Sequence, residues 1–307
     1  MHHLATTAAT AIDVMSRSRP PVLTMDPGDS VVVETLDASG YLRRPRGLAD
    51  GTPRMIQSSR GHCLVGPIEV RGARPGQLVA VTMGTMTPSS WGWTVAGARD
   101  IRLTRDLDLD PARPHMTVWD IDAVAQTATS DGGLGVRIDP FLGVVGLAPG
   151  EDGEHSTIPP RSGVGGNIDC RLLGSGATLL LPVSVEGALL FLGDGHARQG
   201  DGEVGGTAIE TGMRSELTVQ LLGPDGIEEV HARTRAGRVT FGFDRDLNRA
   251  ATTALSWMVT WIQALFGIER APAVALASVV VDLRVTQIAN DVWGVHAVLA
   301  DDAVGRA

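Results

Sequence analysis

The sequence predicts a mainly β fold, on three observations. Short apolar or alternating runs recur along the whole chain, bounded by Gly, Pro, Asn and Asp clusters. Glycine is abundant, at 38 of 307 residues, which suits a chain with many turns. Strong helical periodicity occurs in one stretch only, about Arg245–Phe266. So many short strands point to a sandwich or a pair of packed sheets, with one long α-helix in the C-terminal third.

In order, residues 1–24 read as a polar lead, Ala-, Thr- and Ser-rich, and 25–307 as one β domain of two interlocked halves. The first strand signal is Asp29–Leu36, entered through the turn Asp26-Pro27-Gly28. Residues 38–61 form a long polar loop, a length that usually signals function. Pro67–Val70 and Gln77–Met83 are strands joined by Ala73-Arg74-Pro75-Gly76, and 86–98 is another loop carrying Trp91 and Trp93. Arg102–Asp108 and Thr117–Val124 give weak strand signals, and 125–139 a hairpin around Asp131-Gly132-Gly133. Phe141–Ala148 is a buried strand, and 149–161 is a loop and the best candidate boundary. Ser162–Leu173 is glycine-rich but lacks the strand–helix context of a dinucleotide site. Strands follow at Thr178–Val183, Ala188–Leu192, Glu216–Leu222 and Thr234–Phe243. In the helix, Leu247, Ala251, Ala254, Leu255, Met258, Ile262 and Leu265 recur at three- and four-residue steps, with Asp244 or Asp246 as cap and Gly267 beyond the end. A shorter helix at Ala271–Ser278 and strands at Val279–Ile288 and Trp293–Leu299 complete the chain.

Composition narrows the function. A formal charge of −9 argues against nucleic acid, where affinity rests on phosphate neutralisation by basic residues. No run of about 18 apolar residues marks a membrane span, and the first residues lack the apolar core of a signal peptide. A cytoplasmic location is the default expectation. Cys63 and Cys170, far apart and outside any CxxC motif, either bridge or stand as two buried free thiols, the second being the preferred reading.

Phe191–Glu210, FLGDGHARQGDGEVGGTAIE, is the densest segment in proton-moving and metal-binding groups. Asp194 and His196 share a face if extended, as do Asp201 and Glu203. The segment fits either a metal-assisted hydrolytic site or a glycine-rich turn with solvated carboxylates. Asn167 and Asp169, also two apart, are candidates to join it, as are Glu151, Asp152, Glu154, His155, Asp37, His62, Asp282 and Gln287. Asp169 and His196 with a further carboxylate would suit zinc. Asp194, Asp201 and Glu203 as an all-oxygen set would suit calcium or magnesium. There is no GxSxG elbow and no HExxH, and the chain has no lysine for Lys-dependent amidase or nitrilase chemistry. A Cys170 nucleophile beside Asp169 stays open. Metal-assisted hydrolysis or no catalysis remains.

Five segments together resemble the acetamidase/formamidase family. They are Gly66–Gly76 (GPIEVRGARPG), Ile158–Leu173 (IPPRSGVGGNIDCRLL), Gly193–Glu203 (GDGHARQGDGE), Gly206–Glu210 (GTAIE) and Asp282–Asn290 (DLRVTQIAN). The resemblance runs from about residue 25 to 300. It implies a β-sandwich of CUB-like type and hydrolysis of short-chain amides, such as formamide or acetamide, to acid and ammonia. It also implies a divalent metal, zinc or else calcium or magnesium, and a homodimer or higher homo-oligomer. On this resemblance Asp169, His196 and Asp201 are expected as metal ligands, with Glu203 as general base. Asp194 is expected as a catalytic carboxylate, either a third ligand or the orienter of the His196 ring, Asn167 as a substrate contact, and Glu210 and Gln287 as further substrate-binding residues. A larger or cyclic amide, or a non-catalytic small-molecule role, is the alternative.

Overall fold

The computed structural model describes residues 1–100 and 102–305. The described residues are mainly β and form three sheets. One sheet has nine strands, in the order His2–Ala5, Ser30–Thr35, Met213–Leu222, Leu78–Pro88, Thr178–Pro182, His231–Thr234, Gly237–Asp244, Trp293–Leu299 and Val281–Gln287. A second, of eleven strands, is centred on Leu190–His196, which pairs antiparallel with Phe141–Leu147, Leu64–Val70 and Glu210–Thr211. A two-stranded ribbon joins Val14–Met15 to His155–Ser156.

The two large sheets enclose one apolar core. Val31, Val33, Val79 and Val81 from the first sheet meet Ile68, Leu142, Leu190 and Leu192 from the second, all essentially inaccessible to solvent. Alternation puts every second side chain of the first-sheet strands inward. Phe141–Leu147 is buried along its whole length, as its unbroken apolar run requires.

The long helix, Leu247–Phe266, begins with the Asp246 side chain accepting from the Asn248 N–H and ends at left-handed Gly267. Its Ala250, Ala254, Met258 and Ile262 face pack on Val295, Ala297 and Leu299 of the nine-stranded sheet. A Cβ at Gly242 would stand 2.1 Å from the Ala250 carbonyl oxygen, so the helix seats closely only over glycine. No single helix among the described residues is long and apolar enough to cross a membrane.

Three expectations change. Residues 1–24 are not a detached lead: His2–Ala5 runs parallel to Ser30–Thr35, and Ala11–Ile12 and Leu23–Met25 pair with Leu64–Val70. Leu4, Ile12, Val14 and Met15 are buried, and alternation too short for a periodicity reading hid them. Arg102–Asp106 is a short helix rather than a strand; with the long helix and the expected shorter one, here Arg270–Val280, the described residues contain three α-helices. Within 86–98, Trp91–Ala96 is a strand, held between His115–Asp122 and Glu210. The glycines there obscured its β pattern. Both cysteines are free and buried, as expected.

Candidate active site

The central strand of the second sheet carries Asp194 and His196 on its last turn of pleat. His196 lies directly across from Glu210 on one neighbouring strand and from Phe141 on the other. The Phe141 ring meets the imidazole edge-on, with centroids 5.0 Å apart. Asn167 ends the short strand Gly165–Asn167, paired with Val144, and Asp169 follows in a turn tied by its N–H to the Gly143 carbonyl. Glu203 sits in the loop after the strand, pinned by Gly202 N–H to Thr286 O and Ile288 N–H to Gly202 O.

These groups form two overlapping three-donor sets, Asp169–His196–Glu203 and Asp194–His196–Glu210, with donor atoms in each within 4.8 Å of one another. His196 Nε2 lies 3.2 Å from Glu210 Oε2 and 3.4 Å from Asp194 Oδ1. His196 Nδ1 is 2.9 Å from Gln199 Oε1, and Gln199 Nε2 donates to the Asp169 carbonyl at 2.6 Å. Gln199 therefore holds Nδ1 as a proton donor and turns Nε2 toward the carboxylates. Asp169, Asp194 and Glu203 all adopt left-handed backbone conformations, with φ of 51°, 60° and 45°. Such strain in non-glycine residues concentrates at functional sites.

All five groups are buried, which removes the solvated-turn reading. Yet Asp169 Oδ1, His196 Nε2, Glu203 Oε2, Glu210 Oε2 and Asn167 Oδ1 have no well-aligned hydrogen-bond partner; the His196 Nε2–Glu210 Oε2 approach at 3.2 Å is an ion-pair distance without hydrogen-bond alignment. Burial, together with the neighbouring Glu203 and Asp194 charges, raises Asp169 well above the carboxylate range. Burial pushes Glu203 up to about 7 and Glu210 up to about 8, partly offset by the His196 charge. At Asp194 burial is outweighed by the His62 and His196 charges, which hold it below its ordinary value. Burial lowers His196, but the Glu210 and Asp194 carboxylates more than reverse this. Four buried carboxylates around one imidazole cannot all ionise without a cation. This mixed imidazole–carboxylate donor set with unpartnered lone pairs fits a divalent metal ion.

The cluster is the floor of a cleft of about 480 Å³, whose walls include His62, Trp93, Arg99 and Asn290. The long loop 38–61 forms one wall. It is anchored by buried Asp37, which accepts from the Ser39 and Tyr41 N–H groups and from Trp93 Nε1.

Of the residues singled out in the sequence, Asn167, Asp169, Asp194, His196, Glu203 and Glu210 converge here. Asp201 does not: its carboxylate is taken by Arg171, at 2.8 and 3.3 Å, and lies 3.7 Å from Arg284. The left-handed turn at Gly202–Glu203 swings Asp201 outward, so alternation along an extended strand does not apply. Gln287 is buried but engaged with the Ala289 N–H and Val292 carbonyl, shaping the turn that lines the cleft rather than facing a substrate. Glu210 faces His196 and not the open cleft alone. Glu151, Asp152, Glu154 and Asp282 are exposed, and burial pushes the Cys170 thiol to about 12, which leaves it no nucleophilic thiolate.

Gly143 and Gln199 escaped the sequence reading. A Cβ on Gly143 would stand 2.4 Å from Asp194 Oδ2, 2.5 Å from Asp169 Oδ1 and 3.0 Å from His196 Cε1. The available signal was a glycine inside an apolar strand, which marks a close approach.

The family model for the Acetamidase/Formamidase family matches residues 15–156 and 151–236. A formamidase from Methylophilus methylotrophus is 27% identical over 261 residues, covering 68% of this chain and 63% of that protein. An acetamidase from Mycolicibacterium smegmatis is 27% identical over 264 residues, covering 66% and 64%. The chain thus spans somewhat under two thirds of the length of these curated relatives. The crystal structure of an acetamidase from Bacillus halodurans superposes with a TM-score of 0.86 at 27% identity, covering 97% of each chain.

Proposed function

Because the chain belongs to the acetamidase/formamidase family, we propose that it hydrolyses the carbon–nitrogen bond of small linear amides to a carboxylic acid and ammonia. The observation that carries the reading is the convergence of five buried, partly unpartnered N and O donors on the floor of an open cleft. The two-sheet packing is read, on the same basis, as a CUB-like β-sandwich.

His196, Asp194 and Glu210 are the residues that would hold a divalent ion, zinc in first place, with Asp169 and Glu203 as a second donor set around the same imidazole. When bound, that ion supplies Lewis-acid polarisation and lowers the pKa of water. Gln199 holds the imidazole in the tautomer that offers Nε2. Asn167 uses Nδ2 on the Ile158 carbonyl, so its free Oδ1 accepts an N–H of the substrate amide and orients the carbonyl carbon. Glu203, with Oε2 unpartnered, takes the proton of the attacking water and returns it to the leaving nitrogen, so ammonia departs as a neutral molecule. Burial keeps bulk water from competing for that proton.

The test is ammonia release from formamide and acetamide, with metal content measured on the same protein and activity compared with and without chelator. Activity lost to chelator and restored by one divalent metal is expected. Full activity in metal-free protein would refute the metal assignment, and no ammonia from any amide would refute the amidase reading. His196→Ala should lose metal and activity together. Assembly as a homodimer or larger homo-oligomer belongs to the same reading and is checked by light scattering.

A further inference from the structure

The cleft does not end at the acidic floor. A second cavity of about 270 Å³ adjoins it, and Ser39, Arg54, Trp93, Arg99, Gly206 and Thr207 line both. Beyond that shared wall the annexe is bounded by Tyr41, Leu48 and Val95. Tyr41 and Trp93 pack edge-to-face, with centroids 6.0 Å apart, and make a rigid apolar corner. Formamide and acetamide are only a few times the size of a water molecule, whose share of the liquid is about 30 Å³. They leave most of this space unfilled.

Two guanidinium groups stand on the shared wall. Arg54 is held over the Tyr41 ring, 4.9 Å from its centroid, and donates to Tyr41 Oη at 3.1 Å. Arg99 extends from the end of the Trp91–Ala96 strand segment, close enough to act electrostatically on Glu203 and His62. Among the described residues neither has a carboxylate oxygen within 4.0 Å, whereas Arg60, which also lines the cleft, is paired with Glu154 at 2.6 Å. The site therefore offers an acidic centre, an apolar corner and two unpaired cations in one continuous space.

We propose that the preferred substrate is an amide whose acyl part is apolar and ends in an anionic group. Its carbon body lies against Tyr41, Trp93 and Val95, and its anion is taken by Arg54 and Arg99. The inference rests on the amidase reading above and specifies its substrate class. A guanidinium fork recognises a carboxylate or sulfonate directionally, and the aromatic corner selects the body by burial.

The experiment compares kcat/KM across amides of equal length ending in a carboxylate, a sulfonate, a neutral methyl ester or an ammonium group, with formamide and acetamide alongside. The two anionic amides are expected to exceed the neutral isostere by about tenfold or more, and the cationic one to be poorest. Arg99→Gln, at an exposed position, should collapse the anionic-to-neutral ratio toward one, and Arg54→Gln should lower it too. Carboxylate preferred over sulfonate, or the reverse, identifies which anion the fork fits. Equal rates for neutral and anionic amides, or an unchanged ratio in Arg99→Gln, would overturn the inference while leaving the amidase reading in place. Ammonia from none of the amides, formamide and acetamide included, would overturn both.

Discussion

Gly143→Ala offers a direct test of how tightly the acidic floor is built. Gly143 does not have a left-handed backbone, so alanine carries no conformational penalty of its own and the effect is steric. The added carbon would stand 2.4 Å from Asp194 Oδ2 and 2.5 Å from Asp169 Oδ1, whereas ordinary contact begins at 3.4 Å. Both carboxylates must therefore retreat by about 1 Å, and His196 Cε1, at 3.0 Å, must give as well. Metal ligands tolerate about 0.2 Å of error, and misplacing a reacting group by about 1 Å costs on the order of 100-fold. Insertion of a methyl into a packed site also costs about 1–3 kcal/mol of stability. On the metal-dependent reading proposed above, Gly143→Ala should thus fold with a lowered melting temperature, bind metal about 100-fold more weakly, and lose kcat/KM by a similar factor. Gly223→Ala, where an added Cβ meets nothing within 4 Å, is the control and should match the wild type. Metal content by mass spectrometry, ammonia release and thermal melts read all three effects. Gly143→Ala protein with metal affinity and kcat/KM within threefold of wild type would refute the close-packed floor.

Three further outcomes follow from the same geometry. Gln199→Leu removes the acceptor of the His196 Nδ1 proton and should weaken metal binding and activity about 10–100-fold, measured by metal titration; an unchanged affinity would mean that the ring is oriented by packing against Phe141 alone. Asp201→Ala frees Arg171 and should cost about 1 kcal/mol in chemical denaturation with little change in metal content, and loss of metal would return Asp201 to the ligand set. Burial raises Asp37 to about 6 against its three hydrogen bonds, so its ionised form is disfavoured in the folded state. Below about 4 the group is protonated in both states and contributes nothing to pH dependence. Between about 4 and 6 the folded state retains a proton that the unfolded state has lost, so stability falls as pH rises, and above about 6 the penalty is constant. The melting temperature of Asp37→Asn minus that of wild type should rise across that window and then level off, and a flat difference would contradict the shift.

The strand rhythm, the long helix with its caps, and the density of Asp, Glu and His in 191–210 were all readable from local pattern, because alternation, capping and turn chemistry are properties of neighbouring residues. So was the membership of Asn167 and Asp169, through the resemblance that spans most of the chain. Which carboxylates face inward was not. Asp201 and Glu203 have the spacing of one strand face, but a left-handed turn between them sends Asp201 to Arg171 and keeps Glu203 on the floor. Pairing across strands, not sequence spacing, sets His196 against Glu210 and brings Gly143 to a position where the floor admits no side chain. The annexe is likewise non-local: Asp37 accepts from Trp93 at the start of the loop 38–61, and Arg54 and Arg99 line one cavity across a long stretch of sequence. Local pattern is enough to set the kinds of element and the chemical groups available. Tertiary structure decided which groups meet, because buried charge is tolerated only where non-local packing supplies its partners.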